Sequence, residues 1–170
     1  MYKIPYVNLV AQWQEEKEEL LPIIEKILAS GQYISTPVVE EFEMNAAKIC
    51  DTKHCVALNS GTDALVFGLA ALGVRRGDEV ITPPNSFVAS TSAITHLGAK
   101  PVFVDVLPDT FLMDPKDLKK KISKNSKAVM PVHMYGNVCD MESIMEIANE
   151  NNLYVVEDSA ECFLGLDNKS

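Results

Sequence analysis

No stretch of this sequence stays apolar for the roughly 18 residues that a membrane helix requires. No Cys-x-x-Cys pair occurs, and Cys50, Cys55, Cys139 and Cys162 are spread along the chain. His54, His96 and His133 are equally scattered, so the short ligand spacing of a zinc site is missing and no metal is expected. Basic residues are scarce. The chain has 15 Lys and Arg against 24 Asp and Glu, a formal net charge of -9. That balance excludes the basic footprint of a nucleic-acid binder and of a protein held on anionic lipid. Low-complexity tracts and internal repeats are also absent. The opening Met1-Tyr2-Lys3-Ile4-Pro5-Tyr6 lacks the apolar stretch of a secretory leader, so a cytoplasmic location with reduced thiols is the expectation. Asn168-Lys169-Ser170 fits the glycosylation pattern, which has no meaning without secretion.

What is present is a globular composition. Of the 170 residues, 47% are hydrophobic and 23% charged, enough for one compact domain or a large part of one. Residues 12 to 30 place Leu20, Ile23, Ile24, Ile27 and Leu28 at helical spacing. Glu15, Glu16, Glu18 and Glu19 fall on its early turns, as a solvated acidic face at a helix N-terminus. Gly31 ends that helix, and Thr36-Pro37 opens a second with Val38, Val39, Phe42, Ala46 and Ile49 on one face.

From Cys55 the pattern changes. Short apolar strands are expected near residues 55, 79, 101, 127 and 153, with helices at 63–73, 86–97, 115–123 and 140–151 between them. Asp114-Pro115 and Asp140 are helix starts, and Gly73 and Gly98 lie just past helix ends. This alternation predicts an α/β fold, a mostly parallel sheet with flanking helices. Val102-Phe103-Val104, Ala128-Val129-Met130 and Tyr154-Val155-Val156 are continuously apolar, as strands covered on both faces should be. Lys119, Lys120, Lys121, Lys124 and Lys127 cluster where a helix C-terminus favours cations.

In a parallel sheet, function gathers at the carboxyl ends of the strands. There stand Asn59-Ser60-Gly61-Thr62-Asp63, Pro83-Pro84-Asn85-Ser86-Phe87, Asp105, His133-Met134-Tyr135-Gly136 and Glu157-Asp158-Ser159-Ala160-Glu161. The first of these joins a strand to a helix N-terminus. Its glycine admits close backbone approach and its free N–H groups favour an anion such as phosphate. The alternative is that Ser60 or Thr62 only caps the helix. The loop is neither a Walker A loop nor GxGxxG. Asp158 closes a buried strand, where a carboxylate needs a cation or hydrogen bonds. Phe87, in a polar loop, is either core or a plate for a flat ligand. Together, a phosphate cradle, an aromatic plate and a distant carboxylate match a phosphorylated pyridinium-like ring, pyridoxal 5'-phosphate (PLP).

At this point the chain resembles the DegT/StrS-type sugar aminotransferases, PLP enzymes of aminotransferase fold type I. The resemblance is to their N-terminal part. It is carried by Ser30-Gly31-Gln32-Tyr33-Ile34, Val39-Glu40-Glu41-Phe42-Glu43, Asn59-Ser60-Gly61-Thr62-Asp63-Ala64-Leu65 and Gly77-Asp78-Glu79-Val80-Ile81-Thr82-Pro83. It continues through Gly98-Ala99-Lys100-Pro101-Val102-Phe103-Val104-Asp105, Pro131-Val132-His133-Met134-Tyr135-Gly136 and Glu157-Asp158-Ser159-Ala160-Glu161.

The resemblance implies a division into an N-terminal helical arm, 1–36, and part of the PLP-binding large domain, 37–170, with the small C-terminal domain absent. It implies that the backbone amides of Gly61, Thr62 and Asp63 hold the phosphate, that Phe87 stacks on the ring and that Asp158 pairs with the ring nitrogen. Glu161 falls where many members carry Gln or His near the phenolic oxygen. The Schiff-base lysine of the family would lie beyond residue 170, and Lys169 reads as a surface lysine, so this stretch carries half a cofactor site. The implied reaction moves an amino group from an amino acid, glutamate first among them, to a nucleotide-linked ketosugar, in a homodimer. The alternatives are a sugar dehydratase of the same family, another fold type I lyase or desulfurase, and an inactive remnant or a module that dimerises with a longer partner.

Overall fold

The computed structural model describes residues 4–34 and 36–165; Lys169 lies outside them. The chain divides into two compact units, Met1–Ala57 and Leu58–Ser170. In the first, α1 runs over Leu9–Ser30 and α2 over Pro37–Ile49. The side chain of Asn8 accepts from the Ala11 N–H and starts α1 a turn earlier than apolar spacing alone predicts. Glu15 to Glu19 therefore stand in the second and third turns, and the first turn carries no acid. They are an exposed face, but not a complement to the N-terminal dipole. Gly31, at φ 69°, closes α1 with its N–H on the Leu28 carbonyl. No residue of α1 is buried; the predicted apolar stripe of Leu20, Ile23, Ile24 and Leu28 is exposed. Pro37 takes the first turn of α2, as its fixed φ allows.

The second unit is the α/β part. Its elements are α3 (Gly61–Ala71), β1 (Glu79–Thr82), α4 (Val88–His96), β2 (Lys100–Phe103), α5 (Pro115–Lys121), β3 (Ser126–Val129), α6 (Met141–Glu150) and β4 (Tyr154–Val155). The strands are parallel and ordered β2-β1-β3-β4. Ile81 lies opposite Val102 on one side and Val129 on the other, and Val129 lies opposite Val155.

The period-2 alternation of the strands sorts the core into two layers. Val80 and Ala128 pack with Leu65, Leu69, Ala93 and Ile94 of α3 and α4. Ile81 and Val129 pack with Leu118, Ile144 and Ile147 of α5 and α6. Burying each large aliphatic side chain contributes roughly 1.5–3 kcal/mol.

Every residue of β1 is buried, as a central strand should be. The outer strands depart from the prediction of two covered faces: Phe103 of β2 and Tyr154 of β4 stay about half exposed, because each strand is an edge with a neighbour on one side only. The strand expected at 55–58 does not form. A strand exists only through a partner's hydrogen bonds, and among the described residues no strand lies beside this segment. The Ala57 N–H is instead taken by the Glu43 carboxylate at 2.7 Å. The lysine cluster behaves as surface charge. Lys120 and Lys121 approach Asp117 at 3.7 Å, and Lys127 sits over the Tyr154 ring.

Among the described residues, no helix is long and apolar enough to cross a membrane.

Candidate active site

Three segments at the carboxyl edge of the sheet, together with the start of α3, enclose a cavity of about 260 Å³. Its wall includes Gly61, Thr62, Phe87, Asp158 and Glu161. Five of the six residues singled out in the sequence are thus brought together.

Asp63 is the exception. It is not on the cavity wall, and its N–H donates to Ser60 Oγ at 3.1 Å. Ser60, in extended conformation, is the N-cap of α3, so the capping alternative holds for Ser60. Capping satisfies only one of the helix's orphan donors. The Ala64 N–H reaches the Ser60 carbonyl, which leaves the amides of Gly61 and Thr62 as the first two of the helix, and both residues line the cavity.

Phe87 is the residue from which α4 departs, and it is 74% exposed. It is not core. A large apolar ring held in water at a cavity mouth is available to cover a flat ligand.

Asp158 is placed by the sheet. Beyond the end of β3 and β4 the pairing resumes: Val132 bridges Asp158, the Asp158 N–H donates to the Pro131 carbonyl at 2.9 Å, and the His133 N–H donates to the Asp158 carbonyl at 3.0 Å. The residue is 7% exposed. Its Oδ2 accepts from Ser90 Oγ at 2.7 Å, and its Oδ1 from the Ala160 N–H at 3.3 Å. Ser90 is itself buried and lies 2.7 Å from Ser86 Oγ. Among the described residues Asp158 has no ion-pair partner. Sequence reading did not single out Ser90. The signal was available: two serines four positions apart, Ser86 in the loop after a central strand and Ser90 in the first turn of α4.

Glu161 is fixed by a tight turn over Met134–Asn137. Tyr135 and Gly136 both take positive φ, 56° and 81°, the twist of a type I′ turn, with the Asn137 N–H on the Met134 carbonyl. That conformation aims two successive N–H groups at residue 161. Tyr135 donates to Glu161 Oε2 and Gly136 to the Glu161 carbonyl, both at 3.2 Å.

On the other side of the same strand end, His133 is buried with Nε2 3.0 Å from Glu157 Oε2. Its Nδ1 accepts from the Cys139 N–H at 3.2 Å. The contacts with Cys139 and with the Glu157 carboxylate favour the charged imidazole, and burial opposes it. The Cys139 Sγ donates to the Val132 carbonyl at 3.3 Å. A second ring proton would face the Cys139 N–H. The geometry therefore fits the neutral ring with its proton on Nε2, assigned from the hydrogen-bond network. Glu157 is held below the usual carboxylate range by the hydrogen bond from His133.

The arrangement has the polarity of a site for a phosphorylated, cationic ring. A helix N-terminus offers unused donors at one part of the wall. A buried carboxylate with no cation among the described residues lies at another, and an exposed aromatic ring belongs to the same wall. PLP fits these groups: its phosphate suits the amides, its ring suits Phe87, and its protonated nitrogen supplies the cation that Asp158 lacks.

Known proteins resemble this chain. The pattern describing the DegT/DnrJ/EryC1/StrS aminotransferase family matches residues 14–166. A dTDP-3-amino-3,4,6-trideoxy-alpha-D-glucose transaminase of Streptomyces venezuelae is 39% identical over 159 residues, 94% of this chain and 42% of its own length. A 3-oxo-glucose-6-phosphate:glutamate aminotransferase of Bacillus subtilis is 40% identical over 147 residues, 86% of this chain and 33% of its own length. The crystal structure of NtdA from Bacillus subtilis, with bound cofactor PMP, superposes with a TM-score of 0.92 at 37% identity, covering 99% of this chain and 39% of that one. The chain thus spans less than half the length of each of these proteins.

Proposed function

Since the chain belongs to the DegT/DnrJ/EryC1/StrS aminotransferase family, we propose that it supplies the cofactor-binding half of a PLP-dependent aminotransferase acting on a nucleotide-linked ketosugar, with glutamate as amino donor and two copies in the working enzyme. The substrate class is supported by the S. venezuelae relative and the donor by the B. subtilis one. The observation that carries the reading is the buried Asp158 carboxylate, which lines a cavity with no cation of its own among the described residues. Such a group is costly unless a cation arrives with the ligand.

PLP, when bound, would supply the electron sink that moving an amino group requires. The chain's own residues then have separable tasks. The Gly61 and Thr62 amides, backed by the α3 dipole, hold the phosphate. The Asp158 carboxylate keeps a proton on the ring nitrogen, because loss of that proton would leave the buried charge unpaired. Phe87 covers the ring and excludes water from one face. Glu161, with one oxygen held by the Tyr135 N–H, lines the wall where substrate or the ring's phenolic oxygen would meet it.

The test is amino transfer from glutamate to dTDP-, UDP- and GDP-ketosugars by the complete gene product, read by mass spectrometry of the sugar product. An aminated sugar with any of them supports the reading. No product from any, with PLP bound at one per chain, would overturn it.

A further inference from the structure

Asp158 is held by more than its backbone. The Ser90 hydroxyl crosses 68 positions of sequence to reach Oδ2 at 2.7 Å, and Ser86 stands 2.7 Å behind it in the loop before α4. Both serines lie on the cavity wall. An ionised carboxylate only accepts hydrogen bonds, so the Ser90 proton must point at Asp158. Ser90 Oγ is then free to accept, and the Ser86 proton points at Ser90. The hydroxyls form a one-way chain ending on the carboxylate. A hydrogen bond of this length fixes the carboxylate's rotation. Ala160 holds the other oxygen from its own loop.

We propose that Ser90, backed by Ser86, is a positioning residue that keeps the Asp158 carboxylate turned into the cavity to receive a protonated ring nitrogen. The proposal rests on the reading of Asp158 as the partner of that nitrogen. The bland alternative is a tie that joins α4 to the loop after β4 and has no bearing on the ligand. The two differ in what they predict for a ligand whose ring has no nitrogen.

The experiment measures binding to the cofactor-free complete protein. The probes are pyridoxamine 5'-phosphate, which forms no Schiff base with a lysine, and its 1-deaza counterpart, in which carbon replaces the ring nitrogen. Wild type is expected to prefer the nitrogen-bearing ring about 100-fold, the scale of a buried charge pair. Ser90→Ala is expected to cut that preference about tenfold while the affinity for the 1-deaza ring stays near wild type, and Ser90→Thr to restore it. An equal weakening of both ligands, or an unchanged preference, would show a structural tie and overturn the proposal. If wild type itself shows no preference, the reading of Asp158 fails first and takes the proposal with it. Should Ser90→Ala fail to fold, Ser86→Ala removes only the outer hydroxyl. It is expected to cut the preference about threefold, and an unchanged ratio there overturns the proposal.

Discussion

His133 and Glu157 leave adjacent strands at the same level and meet through Nε2 and Oε2 at 3.0 Å. The pair lies beside Asp158 in sequence, but neither residue lines the cavity. Period-2 alternation explains this: Val132, Met134 and Asp158 line the cavity, and the residues between them turn to the other face. The pair therefore fixes the strand ends that carry the site.

Its pH signature follows from the hydrogen bond. Glu157 is held below its usual range by His133. A carboxylate lowered in the folded state stabilises above its unfolded value near 4.5, and that contribution is lost as pH falls through the folded value. Glu157 is half exposed, so the effect should stay under about 1 kcal/mol. Urea unfolding from pH 6 down to 3 should show Glu157→Gln losing less stability than wild type. Parallel curves would remove the pair from the acid response.

Asp158→Asn should separate stability from function. The buried carboxylate lacks a cation among the described residues, so its neutral isostere should leave cofactor-free stability within about 1 kcal/mol of wild type. Transamination by the complete protein should fall about 100-fold, since the ring nitrogen loses its charge partner. Near-normal turnover would sink the cofactor assignment.

Ser60→Ala removes the N-cap of α3, whose oxygen takes the Asp63 N–H at 3.1 Å. Loss of a cap costs about 1 kcal/mol. Chemical denaturation of the variant should show a drop of that size, with Ser60→Gly losing only a few tenths. Equal losses in both would mean that the hydroxyl is not the cap.

Tyr135→Gly tests the strained turn. Tyr135 is a non-glycine residue at φ 56° with most of its side chain in water. Glycine takes that conformation without a Cβ penalty of about 1 kcal/mol, while little packing is lost. The thermal midpoint should hold or rise. A fall of several degrees would mean that the ring itself packs where this structure leaves it exposed.

Much of this architecture was legible in the chain. Strand and helix periods, Gly31, Gly73 and Gly98 at helix ends, and Pro37 and Pro115 at helix starts are local properties, set by φ preferences and side-chain spacing. The polar residues at strand ends were legible too, because a parallel sheet sends all its carboxyl ends to one edge. What only the tertiary structure decided depended on distant partners. Residues 55–58 have strand composition and no strand, since a ladder needs a neighbour. Phe103 and Tyr154 read as core and lie at edges, since strand order is a matter of topology. Asp63 looked like a phosphate donor, but its amide is spent on Ser60. Ser90 looked like an ordinary helix residue until folding carried Asp158 to within 2.7 Å of it. The sequence determined which chemical groups face the carboxyl edge. The fold decided which of them are already bonded to one another and which, like the amides of Gly61 and Thr62, are left for a ligand.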